Sequence, residues 1–290
     1  MSITSQSRLS SPNMKLSIVI PVHNAQEITA ECLQKLDDNS TTHPQVVIID
    51  NGSEVVTTYA GYDNLDIKQV RNDKNTGVWP TFKQGFDESD GDVIAYIHND
   101  LMIHEKGWDQ RVLDSFDADR SLGLVGVVGS DEWGANGGRG GGTMSNFLGL
   151  GRGSAAEVHG RRVTDLRAAL QVDGCAMIMN RTAMLAIGFF EWPPHHFYDR
   201  IYSLRMIKHG LHVAVLGIGC DHVSGQTANT QQGWQDTAEE WCKARGIMEM
   251  TAHNWDYTVY NVAEGMFLNE LHEYLAGRQL IACDSQHNII

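Results

Sequence analysis

The chain has 290 residues, of which 42% are hydrophobic and only six are proline, so it is long enough for one large α/β domain with or without a helical appendage. Its formal net charge of −14 argues against a surface that binds nucleic acid through general neutralisation of phosphates, although a local basic patch is compatible with it. The five cysteines are odd in number and far apart, which argues against both a disulfide framework and a Cys-x-x-Cys zinc site.

The amino-terminal residues and the hydropathy pattern predict a soluble, cytoplasmic protein. The first 15 residues, MSITSQSRLSSPNMK, lack the apolar centre of a signal peptide. No run of about 18 apolar residues occurs, so we expect no transmembrane segment.

Strands and helices alternate along the first third of the chain. A near-continuous β-branched run at 16–24 predicts a strand buried on both faces, and the apolar spacing over 25–39 then predicts a helix. Further predicted elements are strands at 45–53, 67–70 and 92–100 and a helix around 79–86. This alternation indicates a parallel sheet with right-handed crossovers.

Polar side chains follow three of these strands. They form the clusters His23-Asn24, Asp50-Asn51-Gly52-Ser53 and His98-Asn99-Asp100. Ligands of such sheets bind outside the carboxyl ends of the strands, so we expect the clusters to border a site. The simpler alternative is that polar residues follow every strand because loops are exposed to solvent. Three clusters in succession, two of them with a carboxylate, favour a site instead.

Several segments come in a specific order along the chain. The first half carries SIVIPVHN, VVIIDNGS, NTGVWPTFKQG and YIHND, and the later part carries GLVGVVGS, VDGCAMIMN, HHFYDRIYSLR and CDHVSGQT. In order and spacing they resemble family 2 glycosyltransferases with the GT-A fold, over residues 15–227. The subgroup they resemble writes its metal motif as HxD rather than DxD and its acid-bearing segment as HFYD. The resemblance implies an α/β protein of GT-A type, with a mostly parallel nucleotide-binding sheet flanked by helices.

The resemblance also implies a divalent metal, Mn²⁺ or Mg²⁺, which stabilises the negative charge that develops on a departing diphosphate. Asp100 and His222 match the family positions that bind this metal. His98 stands in place of the first acid of DxD, and we expect it toward the nucleotide ribose or a metal-bound water. The alternative for His222 is a strand-end histidine that hydrogen-bonds to backbone.

Other positions match residues of the family that contact the nucleotide sugar. Asp50 matches the acid that accepts a hydrogen bond from the uracil ring N–H, a role that suits a strand-end carboxylate. The remaining matched positions are Pro21, His23 and Asn24 in the base pocket, Asn75 and Gly77 in a loop near the nucleotide, and Asp173 and Gly174 in a turn that faces the donor sugar. For the loop positions, ordinary turn chemistry is the alternative.

Asp199 matches the general base of inverting members, which takes the proton of the acceptor hydroxyl as its oxygen attacks the anomeric carbon opposite the leaving group. Family sequences often carry a second acid two residues later, where this chain has Ile201. The adjacent Arg200 would favour the ionised carboxylate if the two side chains met. The alternative for Asp199 is an N-cap of the following helix, and the two roles are compatible.

Two regions lie outside these motifs. Residues 134–154 are glycine-rich without a phosphate-loop pattern, and we interpret them as a loop that borders the site and orders over donor or acceptor. After residue 227 the resemblance ends, and helical apolar spacing predicts an appendage over 228–290. It is expected to pack on the catalytic domain at 15–227, to form a homodimer interface, or to present the acceptor, and the sequence does not choose.

These expectations favour a metal-dependent glycosyltransferase that moves a sugar from a UDP-linked donor to an acceptor hydroxyl with inversion. The acceptor stays open among a glycan, a protein and a modified nucleic-acid base. A nucleotidyltransferase is less favoured, because PVHNAQE after the first strand has no glycine-rich phosphate loop. The remaining alternative is a catalytically inactive nucleotide-sugar-binding module, since His98 and Ile201 replace expected acids.

Overall fold

The computed structural model describes residues 14–134, 137–149, 160–223, 231–251 and 254–282. Its strands are β1 (Leu16–Val22), β2 (Gln45–Asn51), β3 (Asp66–Asn72), β4 (Val93–Ile97), β5 (Leu101–Ile103), β6 (Leu122–Gly126), β7 (Val128–Ser130), β8 (Thr143–Ser145), β9 (Leu166–Ala169), β10 (Gln171–Val172), β11 (Ala176–Asn180), β12 (His212–Leu216) and β13 (Cys220–His222). Its helices are α1 (Gln26–Asn39), α2 (Val78–Glu88), α3 (Trp108–Ala118), α4 (Arg181–Ile187), α5 (Tyr198–Lys208), α6 (Gln231–Lys243) and α7 (Trp255–Ala282).

Eight of these strands form one central sheet in the order β3-β2-β1-β4-β11-β6-β12-β9. The first four strands of this order are mutually parallel, and β6 and β12 run in the same direction. The two exceptions are β11, which is antiparallel to β4 and β6, and β9, which is antiparallel to β12. The mostly parallel sheet expected from the sequence is therefore confirmed.

Helices cover both faces of the central sheet. On one face, α1 and α3 bury Leu33, Leu36 and Trp108 against alternate residues of β1, β2 and β4. On the other face, α2, α5 and α7 cover the sheet. Phe82 of α2 and Phe267 of α7 are buried there. Because helices pack on both sides, β1, β2 and β4 are buried almost throughout, which explains their continuous apolar runs.

Two short sheets flank the central one and hold the chain near the carboxyl ends of its strands. The antiparallel pair β5 and β13 places His222 opposite Leu101, directly after the polar turn that follows β4. The second is the three-stranded sheet β10-β7-β8. Its strand β8 lies within the glycine-rich region, of which residues 135–136 and 150–154 are outside the described part of the chain.

The carboxyl-terminal helices pack on the preceding part of the chain, which is one of the three roles left open by the sequence. Ala238 and Cys242 of α6 pack against Val259 of α7, and Phe267 of α7 is buried beside Phe197 just before α5. Residues 228–230, 252–253 and 283–290 of the predicted appendage lie outside the described residues. Among the residues that are described, no helix is both long and apolar enough to cross a membrane.

Candidate active site

Three side chains converge at the carboxyl end of β4. The turn after this strand presents His98 and Asp100, and β13 presents His222. His98 Nδ1 lies 3.3 Å from His222 Nε2, and Asp100 Oδ1 lies 3.1 Å from His222 Nε2 and 3.9 Å from His98 Nδ1. We call these three atoms the His-Asp-His triangle.

The His-Asp-His triangle fits a single metal ion. Ligand atoms about 2.1 Å from a common ion lie about 3.0 to 3.4 Å apart, and two edges of the triangle fall in that range. Asp100 is 4% exposed, and the neighbours of its Oδ1 atom in the triangle are nitrogens of the two imidazoles. A buried carboxylate is costly unless it is paired, and a cation held among these three atoms would pair it.

The protonation states of these groups also suit a cation. Burial and the neighbouring His222 lower the pKa of His98, so that its imidazole is neutral at pH 7. Burial opposes ionisation of Asp100, but the two histidines outweigh it and lower the pKa of that carboxyl. A metal binds neutral imidazole and ionised carboxylate, so no proton has to be displaced from either group.

Tyr198 joins the triangle to the predicted catalytic segment. Its phenolic oxygen lies 3.1 Å from His98 Nε2, on the side of the ring away from the triangle. Burial raises the pKa of Tyr198 well above the usual range, so the phenol is neutral. A partner on the outer nitrogen of a ligand histidine fixes its tautomer and ring orientation, here leaving Nδ1 for a metal. Tyr198 belongs to the HFYD motif and directly precedes Asp199, although no role for it was predicted from the sequence.

Asp199 lies in the first turn of α5, and its carboxylate faces the turn between β10 and β11. Its Oδ2 accepts a hydrogen bond of 3.2 Å from the N–H of Gly174, and its Oδ1 accepts one of 2.8 Å from the N–H of Arg200. The N-cap position of α5 belongs to Phe197. The N-cap alternative for Asp199 is therefore wrong, although the carboxylate does lie at the positive end of the helix.

The environment of Asp199 favours proton uptake. Burial and the nearby Asp173 raise the pKa of this carboxyl, and they outweigh the opposing effect of Arg200. Arg200 does favour the ionised form of Asp199, the direction expected from the sequence, but its effect is smaller than those of burial and Asp173. The guanidinium of Arg200 lies 4.2 Å above the ring of Phe197 instead of forming an ion pair with the carboxylate among the described contacts.

The predicted turn at Asp173 and Gly174 contacts both Asp199 and Tyr198. Asp173 forms an ion pair of 3.3 Å with Arg139 of the glycine-rich region and accepts a hydrogen bond from the N–H of Cys175. Burial opposes ionisation of Asp173, but Arg139 and that N–H lower its pKa. A Cβ atom at position 174 would lie 2.6 Å from the Tyr198 hydroxyl, so only glycine fits there.

A cavity of about 90 Å³ opens beside the His-Asp-His triangle, and we call it the central cavity. Five of the predicted site residues line it, namely Pro21, His23, Asn75, Gly77 and His98. Asn51, from a strand-end cluster expected to border a site, also lines the cavity. Three further lining residues, His195, Tyr198 and Trp234, were not predicted as site residues. Trp234 belongs to α6, so a helix placed in the appendage reaches the site.

Asn51 organises the loop that carries two of the predicted residues. Its side-chain N–H donates to Asn75 Oδ1 at 2.9 Å, and its side-chain oxygen accepts from the N–H of Thr76 at 3.1 Å. The N–H of Gly77 also donates to Asn75 Oδ1, and Gly77 has a φ of 87°, which favours glycine. These bonds support the alternative of turn chemistry for Asn75 and Gly77 without removing them from the cavity wall.

Asn24 and Asp50 are placed apart from the lining of the central cavity. Asp50 forms an ion pair with Arg71 and accepts a hydrogen bond from the N–H of Ser53, and 14% of its side chain is exposed. The side chain of Asn24 accepts a hydrogen bond of 2.7 Å from the N–H of Glu54. In this structure both side chains stabilise the turn after β2.

The backbone before α5 is strained. His196 and Phe197 have φ values of 65° and 55°, a left-handed conformation that non-glycine residues rarely adopt. His196 Nε2 lies 2.8 Å from a carboxylate oxygen of Asp256 in α7, and its carbonyl accepts a hydrogen bond from the Trp192 indole. The first turn of α7 therefore holds the segment that positions Tyr198 and Asp199.

Comparison of solved structures supports the fold. S. aureus TarS aligns with a TM-score of 0.51 at 15% identity, over 89% of this chain and 71% of the TarS fragment. The mannosyltransferase PcManGT of Pyrobaculum calidifontis, solved with GDP-Man and Mn²⁺, aligns with a TM-score of 0.52 at 12% identity, over 93% of this chain and 76% of its own. At these identities the likeness shows a shared GT-A fold.

Sequence comparison gives the family. Among curated proteins, none matches this chain. The sequence model described as "Glycosyl transferase family 2" matches residues 17–183, which is more than half of the chain and includes β1 to β11 with His98 and Asp100. The chain therefore belongs to glycosyl transferase family 2.

Proposed function

We propose that this protein transfers a sugar from a nucleotide-sugar donor, UDP-linked, to an acceptor hydroxyl, with a divalent metal and with inversion at the anomeric carbon. The observation that carries the proposal is the 3.1 Å contact between His98 Nε2 and the Tyr198 hydroxyl. This contact links the His-Asp-His triangle to the residue before Asp199. A metal site and a base are thereby held near one cavity, as an in-line displacement requires.

The residues of the triangle suit a metal on the leaving-group side. When bound there, Mn²⁺ or Mg²⁺ supplies the positive charge that stabilises a departing diphosphate. Two imidazoles beside one carboxylate favour Mn²⁺, because Mg²⁺ prefers oxygen ligands. In this assignment His98 is a third ligand with Asp100 and His222, rather than a contact of the ribose.

Asp199 serves on the acceptor side as general base. Its ionised carboxylate takes the proton of the acceptor hydroxyl while the hydroxyl oxygen bonds to the anomeric carbon and the bond from that carbon to the diphosphate oxygen breaks. The N–H groups of Gly174 and Arg200 orient the carboxylate. The raised pKa of Asp199 makes it a stronger base than an ordinary aspartate.

The choice of a UDP-linked donor rests on the resemblance, and related structures support a nucleotide-sugar donor without choosing its base. S. aureus TarS has been solved with UDP-GlcNAc, and PcManGT with GDP-Man and Mn²⁺. In this chain Pro21, His23, Asn75 and Gly77 remain the nucleotide-contacting candidates because they line the central cavity. For Asp50 to accept a hydrogen bond from the uracil ring, its ion pair with Arg71 would have to break.

The central cavity must widen to admit a nucleotide sugar. Its volume of about 90 Å³ is below the range of about 300 to 1,000 Å³ that is usual for ligand sites. Strand ends of the sheet form one wall, whereas α6 forms another through Trp234. A Cβ atom at Gly233 would lie 2.9 Å from His23 Nε2, so α6 sits directly over a predicted nucleotide contact. We infer that α6 moves outward when the donor binds.

A donor screen tests the proposed function. Thermal shift is measured with UDP-GlcNAc, UDP-glucose and GDP-mannose, each with and without Mn²⁺, and released nucleoside diphosphate is then measured for any sugar that binds. A metal-dependent rise with one UDP-sugar, lost in Asp100→Ala, supports the proposal. If a donor binds but no nucleoside diphosphate is released, even with an added acceptor, the inactive nucleotide-sugar-binding module is favoured. A preference for GDP-mannose would refute the UDP assignment alone.

A further inference from the structure

His195 and Trp234 form a stacked aromatic pair in the wall of the central cavity. Their ring centroids are 3.9 Å apart and their planes differ by 12°. His195 lies in the segment before α5, and Trp234 lies in the first half of α6. Both positions lie beyond the family match at 17–183, so this wall is built by the carboxyl-terminal part of the chain.

The imidazole of His195 is buried and unsatisfied. It is 1% exposed, and both of its ring nitrogens lack a hydrogen-bond partner within the described residues. Buried polar atoms are nearly always paired in folded proteins, so an unpaired pair of nitrogens at a cavity wall indicates a missing ligand or water. The adjacent His196 directs its Nε2 toward Asp256 instead.

The charge state of His195 defines what it can recognise. Burial, assisted by the neighbouring His196, lowers the pKa of His195 to about 3, so the ring is neutral at pH 7. A neutral imidazole has one N–H donor and one acceptor nitrogen. A hydroxyl group also both donates and accepts, so a polyhydroxylated ligand can satisfy this ring without introducing a buried charge.

We propose that His195, which stacks on Trp234 before α6 moves, hydrogen-bonds a hydroxyl of the sugar portion of the bound donor, either its ribose or the sugar to be transferred. The inference rests on the proposed function and extends it to the carboxyl-terminal helices. His23, Asn75 and His98 line the same cavity as His195. A hydroxylated ring bound in this cavity would lie within reach of His195.

The test compares His195→Phe with His195→Gln in calorimetric titrations in the presence of Mn²⁺. Phenylalanine keeps the stack on Trp234 and removes both unpaired nitrogens, so the melting temperature should hold or rise. Donor affinity should fall roughly three- to tenfold, the size expected for one neutral hydrogen bond. Glutamine, which keeps a donor and an acceptor, should recover part of the affinity. His272→Phe, on an exposed surface of α7, is the control and should bind as the parent does.

Three ligands identify the hydroxyl that is read. If the hydroxyl belongs to the ribose, His195→Phe should bind UDP more weakly than the parent does but bind 2′,3′-dideoxy-UDP with the parent's affinity. If it belongs to the transferred sugar, UDP binding is unchanged and UDP-GlcNAc or UDP-glucose binding falls.

Two results overturn the proposal while leaving the proposed function intact. One is equal affinity of His195→Phe and the parent for every ligand. The other is an equal loss for all ligands including the dideoxy compound, which indicates collapse of the cavity. If the parent protein binds neither UDP, the UDP-sugars nor GDP-mannose, the proposed function fails and this inference fails with it.

Discussion

Asp199 Oδ2 accepts a hydrogen bond of 3.2 Å from the N–H of Gly174, the residue directly after Asp173. The proposed base is therefore fixed to the turn that carries a second carboxylate. That second carboxylate is paired with Arg139, and it raises the pKa of Asp199 without being protonated itself. The chain lacks an acid at Ile201, but the fold brings Asp173 near the base from elsewhere.

Replacing the base should abolish chemistry and preserve binding. We expect Asp199→Asn to lower kcat by about 10² to 10⁴, the usual contribution of a general base, because an amide cannot take the acceptor proton. The thermal shift produced by the donor with Mn²⁺ should match that of the parent. Transfer activity within tenfold of the parent would rule out Asp199 as the base.

The pH profile should report the environment of Asp199. The base works only when ionised, so kcat/KM should fall as pH decreases through the pKa of Asp199, which is raised above 3.8. Asp173→Asn removes a neighbouring negative charge and leaves Arg139 unpaired, and both changes lower that pKa. The acid limb of the profile should therefore move to lower pH in this variant. If the acid limb stays in place or moves to higher pH, Asp173 does not raise the pKa of Asp199.

Tyr198 should tune the metal site from outside it. Tyr198→Phe keeps the packed ring but removes the hydroxyl that orients His98, and loss of such an outer partner costs about 10- to 100-fold in metal affinity. Titration of Mn²⁺ against activity measures this change. Tyr202→Phe on the same helix is the control, because the buried Tyr202 hydroxyl has no hydrogen-bond partner among the described residues. Equal metal affinity in the two variants would remove Tyr198 from the site.

The first turn of α7 should influence catalysis at a distance. Asp256→Ala frees His196, so the strained backbone at His196 and Phe197 can relax, and α5 with Asp199 loses its fixed position. We expect kcat to fall by about tenfold, with an unfolding free energy lower by about 1 to 3 kcal/mol. Glu273→Ala, at an exposed position of the same helix, should change neither quantity. Unchanged kcat in Asp256→Ala would show that the strain has no catalytic role.

Donor binding should change the exposure of α6. If α6 moves outward on donor binding as inferred, its amide hydrogens should exchange at a different rate when donor and Mn²⁺ are present. Hydrogen exchange measured by mass spectrometry can compare peptides from α6 with those from α3, none of whose residues lines the cavity. Identical exchange of α6 with and without bound donor would contradict the inferred movement.

The sequence by itself determined the sheet and the family. Continuous apolar runs at 16–24 and 45–53 predict buried strands because helices must cover both faces of a parallel sheet, and local polar clusters then mark its ligand-binding edge. These signals are local in sequence, so Asp100 and Asp199 could be named in advance. Asp50 was also named from its strand end, yet the ion pair with Arg71 depends on β3 and was not visible in the sequence.

Tertiary structure decided which side chains meet. The triangle needs β13 beside β5, the Tyr198 contact joins positions a hundred residues apart, and the stack of His195 on Trp234 depends on α6 folding back over the strand ends. The family resemblance implied that Asp100 and His222 meet at one metal, but no residue type or spacing predicts the Tyr198 contact or the stack of His195 on Trp234. Those two contacts arise from the packing of elements distant in the chain. The carboxyl-terminal helices, which the sequence marked as an appendage, thus became a wall of the site.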